Sequence, residues 1–385
     1  MRKSLTLLLI LLASVAALAP AGSLASAAQR QPKLDQSAVQ AIPARAERIE
    51  PYRVRFGRVR PVVAVLGENG GTELTHFVIP YGILAQSGVA EVVSVGIRPG
   101  VLTMRPALHI QPSATAAQFD ARFPDGADYV IVPAMVKQDD PALLAWLSRQ
   151  SGRGATIVSI CDGALVVANA GLLRGHRATA HWATLSYRRK TYPDVRWVEN
   201  SRYVADGRIV SSAGISAAIP TALALVEAIG GHDKAVAAGR RVGTTEWSSA
   251  HNSQVFAPKL GRNLTAYATT NYLNYWLHRQ EAVGVPVAPG VDEIALALTA
   301  DAYTRSGRGK AYAISASLNP VITSHGLVIV PDRRDRTGNT DRRVPLPASG
   351  RAPIIDLVLA SVARDYGRST AFGVALDFEY PGFHD

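Results

Sequence analysis

The stretch Ala155-Thr-Ile-Val-Ser-Ile-Cys-Asp-Gly-Ala-Leu-Val-Val-Ala-Asn-Ala-Gly171 decides the fold. A short, mainly apolar run leads straight into Cys161, and a helix-forming run begins two residues later. A run of this kind and length reads as a buried strand of a parallel sheet. A strand that hands over to a helix at a nucleophilic side chain is the elbow on which activated nucleophiles are carried. Gly163 allows the close approach that such a turn needs. The Cys161 thiol would face the helix N-terminus, whose partial positive charge favours thiolate. The charge of Asp162 opposes this. The backbone N–H of Asp162 is a candidate oxyanion donor.

The surrounding chain has the same character. Pro61-Val-Val-Ala-Val-Leu66, Val92-Val-Ser-Val-Gly-Ile97 and Tyr129-Val-Ile-Val132 read as further strands. Helices are expected over 75–87, 115–123, 141–150, 163–173 and 217–229, with Gly88 and Gly230-Gly231 as stops. Residues 101–104 and 107–111 read as a hairpin, and 203–212 as strand, turn and strand through Asp206-Gly207. Strands alternating with helices predict an α/β protein, a parallel sheet with helices on both faces. Ligands of such sheets sit beyond the carboxyl ends of the strands, where Cys161 lies.

The 385 residues exceed one typical domain, and 48% hydrophobic with 18% charged residues supplies ample core. The net charge of +11 is carried mainly by arginine. Arg333, Arg334, Arg336, Arg342 and Arg343 gather, but Asp332, Asp335 and Asp341 interrupt them, so no nucleic-acid partner is expected. Arg2 and Lys3 precede an apolar run over 4–20, and Ala25-Ser-Ala27 follows. Residues 1–27 therefore read as a secretory signal peptide cleaved after Ala27, which implies a periplasmic or secreted protein. Left uncleaved, the same run would be a membrane anchor. Cys161 is the only cysteine, so it is either a small buried hydrophobe or a reactive thiol. Zinc-ligand spacing, a phosphate loop and a dinucleotide fingerprint are missing, so no metal and no cofactor is expected.

Ser159-Ile-Cys-Asp-Gly-Ala164, Ala168-Asn-Ala-Gly-Leu-Leu-Arg-Gly175, Ala178-Thr-Ala-His-Trp182 and Val210-Ser-Ser-Ala-Gly-Ile-Ser216, in this order, resemble the ThiJ/PfpI family of the class I glutamine amidotransferase-like superfamily. The likeness extends upstream through Glu73-Leu-Thr-His-Phe-Val-Ile-Pro-Tyr-Gly82 and Asp128-Tyr-Val-Ile-Val-Pro133 and covers about 170 residues. The resemblance implies a flavodoxin-like sheet over residues 60–250, with Cys161 as nucleophilic or redox-sensitive thiol and His181 beside it. It also marks departures. Where many members carry an acid that hydrogen-bonds the cysteine, this chain has His76, and Glu73, one helical turn earlier, is the candidate replacement. The loop that supplies a second oxyanion donor is often glycine-rich in the family. Here it offers the backbone N–H groups of Ala134 and Met135.

Residues 28–59 read as an extended arm, 251–290 as a helical linker region and 291–385 as a smaller mixed α/β region. The aromatic-rich segment 263–279 is expected to be a helix packed on the main domain, and 284–290, with Pro286 and Pro289, a linker. Tyr303-Thr-Arg-Ser-Gly-Arg-Gly-Lys-Ala-Tyr-Ala-Ile-Ser315 parallels Leu84-Ala-Gln-Ser-Gly-Val-Ala-Glu-Val-Val-Ser-Val-Gly96. Val321-Ile-Thr and Leu327-Val-Ile-Val-Pro331 likewise parallel Val101-Leu-Thr and Leu108-His-Ile-Gln-Pro112, as in a partial second copy without the elbow. The expected function is a cysteine-dependent hydrolase, hydratase or glyoxalase-like enzyme for a small molecule, with a homodimer as a further expected partnership. The alternative is a non-catalytic envelope protein that binds a ligand or senses through its thiol. A third reading comes from AraC-type regulators, some of which carry this domain ahead of a helix-turn-helix, but the residues after Gly231 do not resemble that module.

Overall fold

The computed structural model describes residues 47–383 apart from 349 and 351. The expected leader, 1–27, and residues 28–46 of the expected arm lie outside the described residues. The remainder of the arm, 47–59, carries no helix or strand.

The apolar runs become a seven-stranded sheet. Its strands are β1 (Val62–Gly67), β2 (Glu91–Gly96), β3 (Ala114–Thr115), β4 (Tyr129–Val132), β5 (Thr156–Ser159), β6 (Tyr203–Asp206) and β7 (Ile209–Ser212). They lie in the order β6-β7-β5-β4-β1-β2-β3, parallel except for β6. Period-two alternation sends Val63, Val65 and Ile131 to one face, and Ala64, Leu66, Val130 and Val132 to the other. Helices α1 (Leu74–Ser87) and α4 (Ala218–Gly230) cover the first face. Helices α2 (Pro141–Gly152) and α3 (Gly163–Asn169) cover the second. Asp140 starts α2 by accepting from Ala142 N and Leu143 N, with Pro141 in the first turn. Helix α5 (His232–Arg241) follows α4 across Gly231. This is the flavodoxin-like α/β fold.

The chain then builds a second parallel sheet. It contains β8 (Glu281–Pro286), β9 (Gly309–Ser315), β10 (Arg333–Arg334) and β11 (Arg342–Arg343), in the order β10-β9-β8-β11. That order repeats β3-β2-β1-β4. Helix α6 (Glu293–Arg305) connects β8 to β9 as α1 connects β1 to β2. Each half also has a hairpin: Leu102–Arg105 with His109–Gln111, and Val321–Ile322 with Val328–Ile329. The two hairpins join edge to edge, Ile110 opposite Ile329, in one five-stranded sheet. Helices α7 (Ile354–Tyr366) and α8 (Arg368–Asp377) have the lengths of α4 and α5, 13 and 10 residues. Both pairs hinge on one glycine, Gly231 at φ 87 and Gly367 at φ 90. Among the described residues, the second half has no counterpart of β5, the cysteine elbow or α3.

Apolar side chains of the two halves merge into one core, with Val283, Val285, Ala311 and Ala313 continuous with Val63 and Val65. Each fully buried Val, Leu or Ile in it contributes about 1.5–3 kcal/mol. The halves meet where α6 crosses α1. A Cβ on Gly82 would stand 2.7 Å from Ile294 Cγ1, so the crossing is close enough to need glycine.

Two expectations for the C-terminal third are corrected. Residues 284–290 do not begin a linker. Gly284, Val285 and Pro286 end the central strand β8, with Val283 and Val285 fully buried, and the pairing with β11 stops at Gly284, so Pro286 meets no ladder partner on that side. The segment 263–279 is not one regular helix packed on the main domain. It passes through Leu264–Ala268, a π-helical turn at Thr269–Leu273 and Asn274–Leu277, and Tyr272, Tyr275 and Trp276 stay exposed. Among the described residues, no helix is long and apolar enough to cross a membrane.

Candidate active site

Strand β5 ends at Ser159, and Cys161 turns the chain with φ 55, a left-handed conformation that a non-glycine residue adopts at a cost. The Cys161 N–H donates to Ser212 Oγ at the end of β7, 3.3 Å away. Helix α3 begins at Gly163, where an added Cβ would stand 2.0 Å from the Val132 carbonyl oxygen. The elbow therefore needs that glycine, and it holds Cys161 at the carboxyl end of the sheet.

A cavity of about 340 Å³ opens there. Six residues singled out in the sequence line it: Glu73, His76, Ala134, Cys161, Asp162 and His181. Met135 is buried beside them but does not reach the cavity. Ile215 joins from the segment after β7, and Asn271, Arg305 and Asp377 join from the C-terminal half.

The site is unevenly charged. Burial, and then the charges of Asp162 and Glu379, push the Cys161 thiol well above its usual value; the Asp162 N–H on the sulfur and the Arg188 guanidinium only partly offset them. The thiolate expected from the helix N-terminus is therefore not the resting form. A seven-residue helix does not outweigh burial beside two carboxylates. Asp162 accepts from Thr184 Oγ1 at 2.8 Å, and its backbone N–H points to the sulfur.

His76 lies on α1, 3% exposed, and neither ring nitrogen has a hydrogen-bond partner. Burial, with a smaller contribution from nearby His181, lowers it to about 3, so the ring is neutral. A neutral imidazole with both nitrogens free can offer a ligand one donor and one acceptor. Glu73 does not replace the acid that the resemblance places against the cysteine. Its carboxylate is paired with Arg305, which also holds Asp301 at 2.5 Å.

His181 has its Nδ1 3.3 Å from the Ala183 N–H and its Nε2 3.6 Å from Glu379 Oε1. Glu379 is fully buried and also accepts from Trp182 N, Gly214 N and His251 Nε2. Burial pushes its carboxyl up, but the His251 hydrogen bond and the charges of His181 and His251 outweigh that and hold it at about 2. Sequence reasoning missed Asn271, Arg305, Asp377 and Glu379. They lie in the chain at least 90 residues beyond His181, out of reach of any spacing rule. Among the described residues, no group of three or more His, Cys, Asp or Glu is arranged to hold a metal.

Fold and site together define a flavodoxin-like α/β protein organised around a cysteine elbow. The sequence profile of the DJ-1/PfpI family matches residues 62–228, and the chain belongs to that family. Isonitrile hydratase of Pseudomonas putida is 30% identical over 161 residues, which are 40% of this chain and 67% of that protein. The HTH-type transcriptional regulator CdhR of Pseudomonas aeruginosa is 38% identical over 96 residues, 25% of this chain; the chain spans little more than a quarter, 28%, of that regulator's length. DJ-1beta of Drosophila melanogaster is 22% identical, with 47% of this chain and 96% of that structure covered at a TM-score of 0.43.

Proposed function

We propose that this protein is a cysteine-dependent enzyme, a hydratase or hydrolase of a small electrophile, working outside the cytoplasm after export by the leader expected at 1–27. The observation that carries the reading is the convergence of Cys161, His181 and the unpartnered His76 on one small cavity. Cys161 Sγ would attack the electrophilic carbon and pass its proton to His181 Nδ1, which gives up the Ala183 contact. The displaced electron pair would settle on the substrate heteroatom, within reach of the Asp162 and Ala134 backbone N–H groups and of His76. Were the carbon that of an isonitrile, the proton would continue to that carbon, giving a thioimidate. Water would then add, the C–S bond would break, and the thiol would recover its proton as an N-substituted formamide leaves. One water is consumed and no oxidant is needed. The relationship to an isonitrile hydratase supports putting this class first.

The test is a turnover screen of the mature chain with isonitriles, nitriles, amides and 2-oxoaldehydes. Cys161→Ser and His181→Ala should each lower kcat/KM by at least about 100-fold. The raised thiol favours a second reading, a ligand-binding or thiol-sensing protein. Saturable binding without turnover by any of these compounds would replace the first reading with the second.

A further inference from the structure

The last helix of each half closes in the same way. Helix α5 ends on Gly243 at φ 79, with Gly243 N donating to Arg240 O at 3.3 Å and Thr244 N to Gly239 O at 2.9 Å. Helix α8 ends with Glu379 N on Leu376 O at 3.1 Å and Tyr380 N on Ala375 O at 2.9 Å. The position closing such a cap is left-handed and normally glycine. Here it is a glutamate at φ 51. Local geometry does not explain an acid at this turn, and a residue held against its backbone preference points to a demand made elsewhere.

The side chain meets that demand. It leaves the C-terminal half and enters the main domain, where one carboxylate binds both segments flanking the thiol. Oε1 accepts from Trp182 N at 3.0 Å, next to His181, and Oε2 accepts from Gly214 N at 3.1 Å, just after β7. A Cβ on Gly214 would stand 2.7 Å from Glu379 Cγ, so this glycine makes the room. His251 Nε2 sits on Oε2 at 3.0 Å, and His181 Nε2 lies 3.6 Å from Oε1.

We infer that Glu379 is a positioning residue of the cysteine site: it keeps the His181 proton on Nε2 and leaves Nδ1 as the base, so that the half without a thiol completes the half that has one. The inference rests on the cysteine-dependent reading above. Other charged or titratable groups face the same region. His76 comes from α1 and Asp377 from α8. His251 shares the carboxylate, and Arg188 donates to the His181 carbonyl. The charge of Glu379 also disfavours the Cys161 thiolate. Glu379 therefore acts on the protonation of the thiol as well as on the placing of His181, which a purely structural tie would not do.

The test is Glu379→Gln in the full mature chain, which keeps the shape and removes the charge. The ring-nitrogen NMR profile of labelled His181 should lose its preference for the Nε2–H form of the neutral ring. Alkylation of Cys161 by iodoacetamide should move to lower pH, while kcat falls by at least about tenfold with KM little changed. An unchanged His181 ring-nitrogen profile together with an unchanged alkylation profile would overturn the inference. If the glutamine variant does not fold, Glu379→Gly restores the residue that closes α5, and the same two profiles decide. Neither profile needs a substrate, so both stay decisive if the enzymatic reading fails.

Discussion

Cys161 and His76 show how much of this site depends on uncharged groups held out of water. The thiol is protonated at rest because burial and two carboxylates disfavour its anion. The imidazole is neutral because burial excludes its cation. The histidine has a consequence for stability. Its folded value is about 3 against 6.5 for a free side chain, so below about pH 6.5 the unfolded chain takes up a proton that the folded chain refuses. Its neutral burial is free of this penalty above pH 6.5, and stability falls as pH drops from there toward 3, by up to about 1.4 kcal/mol per unit. Glu379 works in a lower window: its contribution is present above pH 4.5 and is lost as pH falls toward about 2. His76→Leu should therefore gain about 2 kcal/mol relative to the parent between pH 7 and pH 5, read from urea unfolding at both values. An unchanged difference between the two proteins would mean that His76 takes up protons in the folded state.

The elements around the thiol owe their placing to close approaches. At the elbow the first residue of α3 rests on the Val132 carbonyl, so Gly163→Ala should cost more than about 3 kcal/mol in denaturant unfolding. Gly152, in the last turn of α2 with open space around it, is the contrast: Gly152→Ala should be neutral or stabilise by up to about 1 kcal/mol. These elements were legible because buried parallel strands are written as short apolar runs, as in Val62–Gly67 and Tyr129–Val132, and because glycines such as Gly88 mark helix ends. Strand β8 was not. Gly284 and Pro286 have the composition of a turn, and burial by residues far away in sequence overrides it. Helix α8 and the π-helical turn at Thr269–Leu273 escaped for the same reason, since packing rather than local pattern shapes them. Of the site, the segment from β5 to His181 could be read in advance. Arg305 and Glu379 could not, because only the return of the chain brings them to the cavity.

At the scale of the molecule, one half covers surfaces the other cannot leave bare. The edge strand His109–Gln111 is paired to Val328–Ile329, and α1 is buried beneath α6. A chain ending at residue 250 would expose that edge and the apolar side of α1, and exposed edges recruit other strands. It should self-associate or precipitate in size-exclusion chromatography with light scattering at concentrations where the full chain stays monodisperse. A well-behaved monomer of the shortened chain would show that the C-terminal half is dispensable as a cover. The matched helix ends, Gly243 and Glu379, have a consequence for how such a protein can change over generations. In an assembly of identical subunits, every mutation is inherited by both sides at once, and an acid introduced at one turn would burden its twin. Here the two turns are separate codons of one gene, so one could stay relaxed while the other took a carboxylate that reaches into the cysteine site.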